Sequence, residues 1–157
     1  MYGIYLYGST SYNIYGNTFT NCGLYFDFYG YYWRRCHNSV KDNTVNGKPL
    51  TYLEDVSNYI VNDAGQVILI RCNGITIKDL LIFNVRGSIQ LFSTNNCVIT
   101  GNNIENGDIV LFLSSCNRIF ENRIVGVPPF NTRARLYRSL SRFHLLFQFS
   151  LFEIPTE

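Results

Sequence analysis

Three carboxylates sit in one recurring local phrase: Asp42 in "VKDNTV", Asp79 in "IKDLLI" and Glu121 in "IFENRI". Two carboxylates at a set separation can hydrolyse a glycosidic bond. One protonates the leaving oxygen, and the other activates water or attacks directly. Other residues offer less. His37 is the right type for a general base, but the sequence shows it no partner. Glu54 and Asp55 are adjacent acids on a tight turn with no third acid in line, which falls short of a calcium cage. The chain has no Ser-His-Asp order, phosphate loop or metal-ligand spacing, so neither a metal nor a cofactor is expected.

A second group would bind rather than react. The segment "DFYGYYWRRCHN" crowds together Tyr29, Tyr31, Tyr32, Trp33, Arg34 and Arg35. Flat aromatic rings stack on sugars, and Arg pairs bidentately with uronate carboxylates. With Tyr5 and Tyr25, the residues Tyr29, Trp33, Arg34 and Arg35 therefore form a candidate saccharide-binding patch. The competing reading is that the loop packs its own aromatics, while the Tyr pair only stabilises a sheet.

What would place these groups is an internal repeat. An apolar-x-apolar pattern occurs at Ile4/Leu6, Leu24/Phe26, Leu50/Tyr52, Val67/Leu69, Ile89/Leu91 and Ile109/Leu111. An apolar-x-x-Asn-x-apolar pattern follows each, at Ile14, Val40, Ile60, Ile77, Ile99 and Ile119, with Asp63 and Leu80 as variants of the Asn. Successive units measure 20, 26, 17, 22 and 20 residues. Short period-2 strands in units of this length predict an all-β, single-stranded parallel β-helix of about six coils over residues 1–125. In "GIYLY", Ile4 and Leu6 then face the core, and Tyr5 and Tyr25 take the same outward position on neighbouring coils. Asn17, Asn43, Asp63, Asn102 and Asn122 are expected to form one internal amide column at a left-handed bend. Such a column is structural rather than ligand-binding. Asp42, Asp79 and Glu121 precede it on the second, fourth and sixth coils. Two coils is roughly 9.6 Å, the outer edge of an inverting pair.

The phrases "GIYLYGSTSYNIYGNTF" and "NGKPLTYL…DAGQVILIRCNGITIKDL" resemble right-handed parallel β-helix repeats. They are most similar to those of NosD-like periplasmic and archaeal surface proteins, within the pectin-lyase-like group. The resemblance implies an extracytoplasmic location: cell surface, periplasm or secreted. It implies a structural or carbohydrate-binding module, with a polysaccharide-processing hydrolase or lyase as the alternative. The family label mentions copper. One Met, two His and scattered Cys make a poor soft-ligand set, and copper is carried over to no residue.

The rest of the chain narrows the partners. Up to Ile124 there are nine Lys/Arg and nine Asp/Glu. A neutral body argues against duplex nucleic acid, which needs a basic face. The five Cys have no paired spacing and read as small apolar fillers. Residues 1–30 lack the pattern of a leader, and no segment is apolar enough to span a bilayer. The first coil is expected to belong to a longer solenoid, and uncapped coil ends invite end-to-end self-association. Residues 126–157 leave the repeat at Pro128 and Pro129. Leu136, Leu140, Phe143 and Phe147 share a helical face, which reads as a capping helix, a non-native segment or a membrane-surface helix.

Overall fold

The computed structural model describes residues 2–8, 11–28 and 37–126, and the backbone of 136–137. It is all-β, a parallel solenoid of about six turns. The first turn holds β1 (Ile4–Tyr7), β2 (Asn13–Tyr15) and β3 (Thr18–Phe19). The second holds β4 (Leu24–Asp27), β5 (Ser39–Lys41) and β6 (Thr44–Val45). β7 (Lys48–Glu54) and β8 (Ile60–Val61) make a two-stranded third turn. The fourth is β9 (Gln66–Ile70), β10 (Thr76–Lys78) and β11 (Leu81–Phe83). The fifth is β12 (Ile89–Phe92), β13 (Val98–Thr100) and β14 (Asn103–Glu105). The sixth is β15 (Ile109–Phe112), β16 (Arg118–Phe120) and β17 (Arg123–Val125). A two-residue strand, β18 (Leu136–Tyr137), lies on β15.

The interior follows from period two. Val67, Leu69, Ile89 and Leu91 point inward from β9 and β12, and Ile77 and Ile99 from β10 and β13; all are fully buried. Each such side chain stabilises the fold by about 1.5–3 kcal/mol relative to exposure. Parallel ladders join successive turns, with Val67 beside Ile89 beside Ile109, and Ile77 beside Ile99 beside Ile119.

The column is interrupted between the second and third turns. Asn46 and Gly47, both at positive φ (51° and 79°), form a tight hairpin of the kind that favours Asn-Gly. β7 therefore leaves antiparallel to β6, with Val45 opposite Lys48. Two stacks result: turns one and two, then turns three to six. Ile14 pairs with Val40 in the first stack, whereas the second row runs Val61, Ile77, Ile99, Ile119. The expected single row is thus divided, and Ile60 is exposed while Val61 takes its inner place. The third turn is also offset by one residue. Thr51 and Leu53, not Leu50 and Tyr52, match Val67 and Leu69. A hairpin, unlike a solenoid bend, delivers the chain half a pleat out of phase. It also explains the short 17-residue unit, because the third turn passes from Val61 to Gln66 without a third strand.

Beyond the β6–β7 ladder, the first stack rests on the second through side chains. β9 and β12 are buried on both faces, because Leu24, Tyr25, Phe26 and Phe28 cover the outer one. There Gln66 accepts from Leu24 N–H (3.0 Å) and donates to Leu24 O (2.7 Å) and Gly87 O (2.9 Å). Gln90 accepts from Phe26 N–H (3.0 Å) and donates to Leu24 O (2.8 Å). These two buried amides satisfy the β4 edge as a neighbouring strand would. At the hairpin, a Cβ on Gly65 would lie 2.0 Å from the Val45 carbonyl oxygen, so only glycine permits this approach.

Bends are tied by side chains that come from the following turn. Asn43 Oδ1 accepts from Asn17 N–H, Asn102 Oδ1 from Leu80 N–H, and Asn122 Oδ1 from Asn102 N–H, all at 3.0 Å. Thr94, Ser114, Cys97 and Asn117 do the same for Cys72, Thr94, Ile75 and Cys97. Ser115 N–H, which donates back to Asn95 Oδ1, is the exception among these bend contacts. The expected capping helix begins at Leu136, which is strand here; residues 127–135 and 138–157 lie outside the described residues.

Candidate functional site

β1 and β4 pair in register, which sets Tyr5 beside Tyr25 and Tyr7 beside Asp27. The Tyr5 and Tyr25 rings are stacked, with centroids 5.9 Å apart and planes at 14°. Tyr2 lies 5.0 Å from both. The Arg86 guanidinium stands 4.7 Å from the Tyr2 centroid and 6.0 Å from that of Tyr25. Tyr5 Oη donates to Asp27 Oδ2 at 2.7 Å. That bond first, then burial, raises the Tyr5 phenol to about 12. Burial first, then the Asp108 charge, raises Tyr25 to about 12. Both phenols are thus neutral donors over the physiological range. Tyr25 is the buried base of the cluster, while Tyr5 and Tyr7 are 45% and 56% exposed. Aromatic faces beside a carboxylate and a guanidinium suit a polyhydroxylated ring, which presents a C–H face and hydroxyl edges. Tyr29, Trp33, Arg34 and Arg35 lie outside the described residues.

The three carboxylates have a backbone explanation. Asp42, Asp79 and Glu121 are left-handed, with φ of 55°, 57° and 56°, and Gly16 and Gly101 hold the same place in their turns. The left-handed residue is therefore the one before the Asn, not the Asn itself. Asp42 belongs to the first stack, and Asp79 and Glu121 to the second, with Gly101 between them. Asp79 pairs with Lys78 at 3.6 Å and is 68% exposed.

The Asn column is divided with the stacks. Asn17 bonds Asn43, whose Nδ2 also donates to Ile14 O and Lys41 O. Asn102 bonds Asn122, whose Nδ2 donates to Ile99 O and Phe120 O. Asp63 stands apart on the surface, 3.7 Å from Lys48, because the third turn lacks the bend it would occupy.

A cluster that the sequence did not reveal forms where β7 ends. Glu54 Oε1 meets Arg71 Nη2 at 2.5 Å, and Glu54 Oε2 accepts from Tyr52 Oη at 2.5 Å. Asn38 N–H reaches the same oxygen at 3.3 Å. Arg71 also grips Asp55 through both carboxylate oxygens, at 2.8 and 2.7 Å. His37 Nδ1 lies 3.5 Å from Glu54 Oε1, giving that histidine the partner its sequence context did not show. The Arg71 hydrogen bonds hold the Asp55 carboxyl below the usual range, and Asp55 in turn raises Arg71. Ligand atoms of His37, Glu54 and Asp55 all lie within 4.8 Å of one another. The Arg71 cation already fills the carboxylates, so the donor set suits proton transfer or an internal ion network better than a divalent metal. The spacing of 17 residues from Glu54 to Arg71 was the usable signal, being one short third turn. Burial raises the thiols of Cys72 and Cys97, which leaves them as packing and bend-capping groups.

No helix among the described residues is long and apolar enough to cross a membrane. No curated protein and no solved structure matches the chain. The family described as the right-handed beta helix region matches residues 1–129. With parallel ladders, short period-2 strands and bend columns among the described residues of that span, the chain belongs to the right-handed β-helix family.

Proposed function

We propose that the chain is a non-catalytic module of a secreted or cell-envelope protein that binds polysaccharide on the tyrosine face of β1 and β4. The observation that carries this reading is the cluster of Tyr2, Tyr5 and Tyr25 with Asp27 and Arg86 at its rim. The extracytoplasmic setting is supported by the resemblance of the repeats to NosD-like sequences. The left-handed backbone at Asp42, Asp79 and Glu121 supports a conformational role for these residues. The test is glycan-array screening followed by calorimetry on the best ligand. Tyr5→Ala and Arg86→Ala should each weaken binding at least tenfold, with no turnover. Absence of any glycan signal, or binding untouched by both variants, sinks the reading.

A polysaccharide-processing enzyme is the second reading, favoured by one observation: Glu54 is fixed by Arg71 and Tyr52 and faces an 85% exposed His37, an acid–base pair open to solvent. Cleavage of an acidic polysaccharide that is lost in His37→Ala would establish it. Cleavage lost instead in Asp42→Ala or Asp79→Ala would move the chemistry to the bends.

A further inference from the structure

Glycine follows asparagine at three places: Asn46-Gly47, Asn73-Gly74 and Asn106-Gly107. With no Cβ in the way, a glycine nitrogen can approach the side-chain amide of the residue before it. What the fold does with that nitrogen differs at the three sites. Gly74 N–H donates to Asn95 O at 3.0 Å, and Asn73 is itself bridged to Ser57 and Asn95. Gly107 N–H has no partner among the described residues, but the glycine is wedged in place, since a Cβ on it would collide with Ser88 Oγ and Val85 O. Gly47 N–H also has no partner among the described residues. Its surroundings are open: the residue is exposed, and nothing lies within 4 Å of an added Cβ.

The acceptor side singles out the same place. Asn21 N–H donates to Asn46 Oδ1 at 2.8 Å, and Asn46 Nδ2 donates to Phe83 O at 2.7 Å. A backbone donor on Oδ1 polarises the amide carbonyl and stabilises an oxyanion developing there. Asn106 Oδ1 receives no donor among the described residues. Asn73 Oδ1 receives one from Asn96 Nδ2, but its glycine nitrogen is engaged. Of the three sites, Asn46-Gly47 alone joins an unengaged nitrogen to a polarised carbonyl.

We infer that Asn46-Gly47 is a site of spontaneous self-modification that loosens the seam between the two stacks. The Gly47 nitrogen attacks the Asn46 side-chain carbonyl carbon and gives its proton to solvent base. The bond to Nδ2 breaks and ammonia leaves, closing a five-membered succinimide. Water opens that ring at either carbonyl and yields aspartate or isoaspartate, with no change of oxidation state. The seam is built from left-handed asparagines, Asn21, Asn46, Asn84 and Asn106. Asn106 Nδ2 donates to Asn84 Oδ1 (2.7 Å), and Asn84 Nδ2 to Asn21 Oδ1 (2.8 Å). A carboxylate at position 46 sets an acceptor against the Phe83 carbonyl where a donor stood. Isoaspartate adds a backbone atom to a two-residue loop whose length the Val45–Lys48 pairing fixes. The reaction is a one-way release of the hairpin from β11.

The full chain, aged in mildly alkaline buffer at physiological temperature and sampled by peptide mapping with an isoaspartate assay, tests this. Asn46 should convert roughly tenfold faster than Asn73, with Asn106 between them, because local opening governs the protected sites. In concentrated urea the three should converge, since glycine follows each. Hydrogen exchange on the aged protein should quicken from Thr44 to Lys48 and leave β13 unchanged. Asn46→Asp installs one product directly and should reproduce that pattern; should the variant not fold, the aged wild type decides alone. Asn46 persisting as long as Asn73 overturns the inference. So does the same ordering in urea, which assigns it to the sequence rather than the fold, and so does an aged hairpin that exchanges like a fresh one.

Discussion

Turns one and two and turns three to six use the same repeat and hold themselves together differently. In the later stack every strand finds its neighbour by backbone ladder, and Ile77, Leu69 and Leu91 sit in a sealed interior. In the earlier stack the parallel ladders span only two turns. Ile4 and Leu6 are half-buried, and β4 is fastened to the other stack by two glutamine side chains. A local pattern thus dictates the shape of a turn, whereas the linker between turns dictates what that turn stacks on. Here a two-residue hairpin redirects the chain after the second turn.

The sharpest way to break this contrast is a pair of cavities. Ile77→Ala, at a site with no exposure, should cost about 2–5 kcal/mol in urea unfolding. Ile14→Ala in the shallower stack should cost less, and equal losses would erase the distinction. Next, Gln90→Leu leaves Phe26 N–H unanswered in a buried place and should cost about 1–3 kcal/mol. Hydrogen exchange should accelerate at Leu24 and Phe26 before it changes in β12; uniform acceleration would mean that the two stacks open as one. Gly65→Ala presses on the Val45 carbonyl and should cost about 1–3 kcal/mol, with the hairpin amides showing the largest chemical-shift changes. Asp79→Gly relieves a left-handed non-glycine residue and should raise stability by about 1 kcal/mol. A loss there would show that the carboxylate itself contributes. The smallest effect concerns acid. Asp55 is held below its free value by Arg71, so its contribution is present above about pH 4 and fades as pH falls through the lowered value. Arg71→Met should flatten that acid limb of the urea midpoint, and an unchanged limb would assign it to other carboxylates.

Much of this was legible in the residues. Period-2 apolar spacing identified the inward rows of the fourth, fifth and sixth turns, since Val67, Ile89 and Ile109 have no other way to bury. The recurring Asn marked the bends, because a bend amide left out of the ladder needs a side-chain acceptor. The hairpin escaped because Asn46-Gly47 sits inside "NTVNGKPL", where a solenoid bend and a reverse turn use the same residue types. The one-residue offset at Thr51 and the displacement of Ile60 by Val61 both descend from that ambiguity. Of the candidate site, the neighbouring positions of Tyr5 and Tyr25 were readable from the repeat. Tyr2, Asp27 and Arg86 were not, since Arg86 comes from a turn three coils later that only the docking of the two stacks brings near. The Glu54–Arg71 pair was hidden for a related reason: its contact depends on the truncated third turn, whose missing strand left no pattern to align.

Because bend acceptors come from the succeeding turn, the solenoid has a built-in polarity of completion. A chain made from its N-terminus leaves each fresh corner thirsty until roughly twenty more residues have emerged to quench it. Evolution can then lengthen or shorten the rod by whole circuits, which carry their own acceptors. A cut of half a circuit strands a donor at one corner and an idle side chain at another.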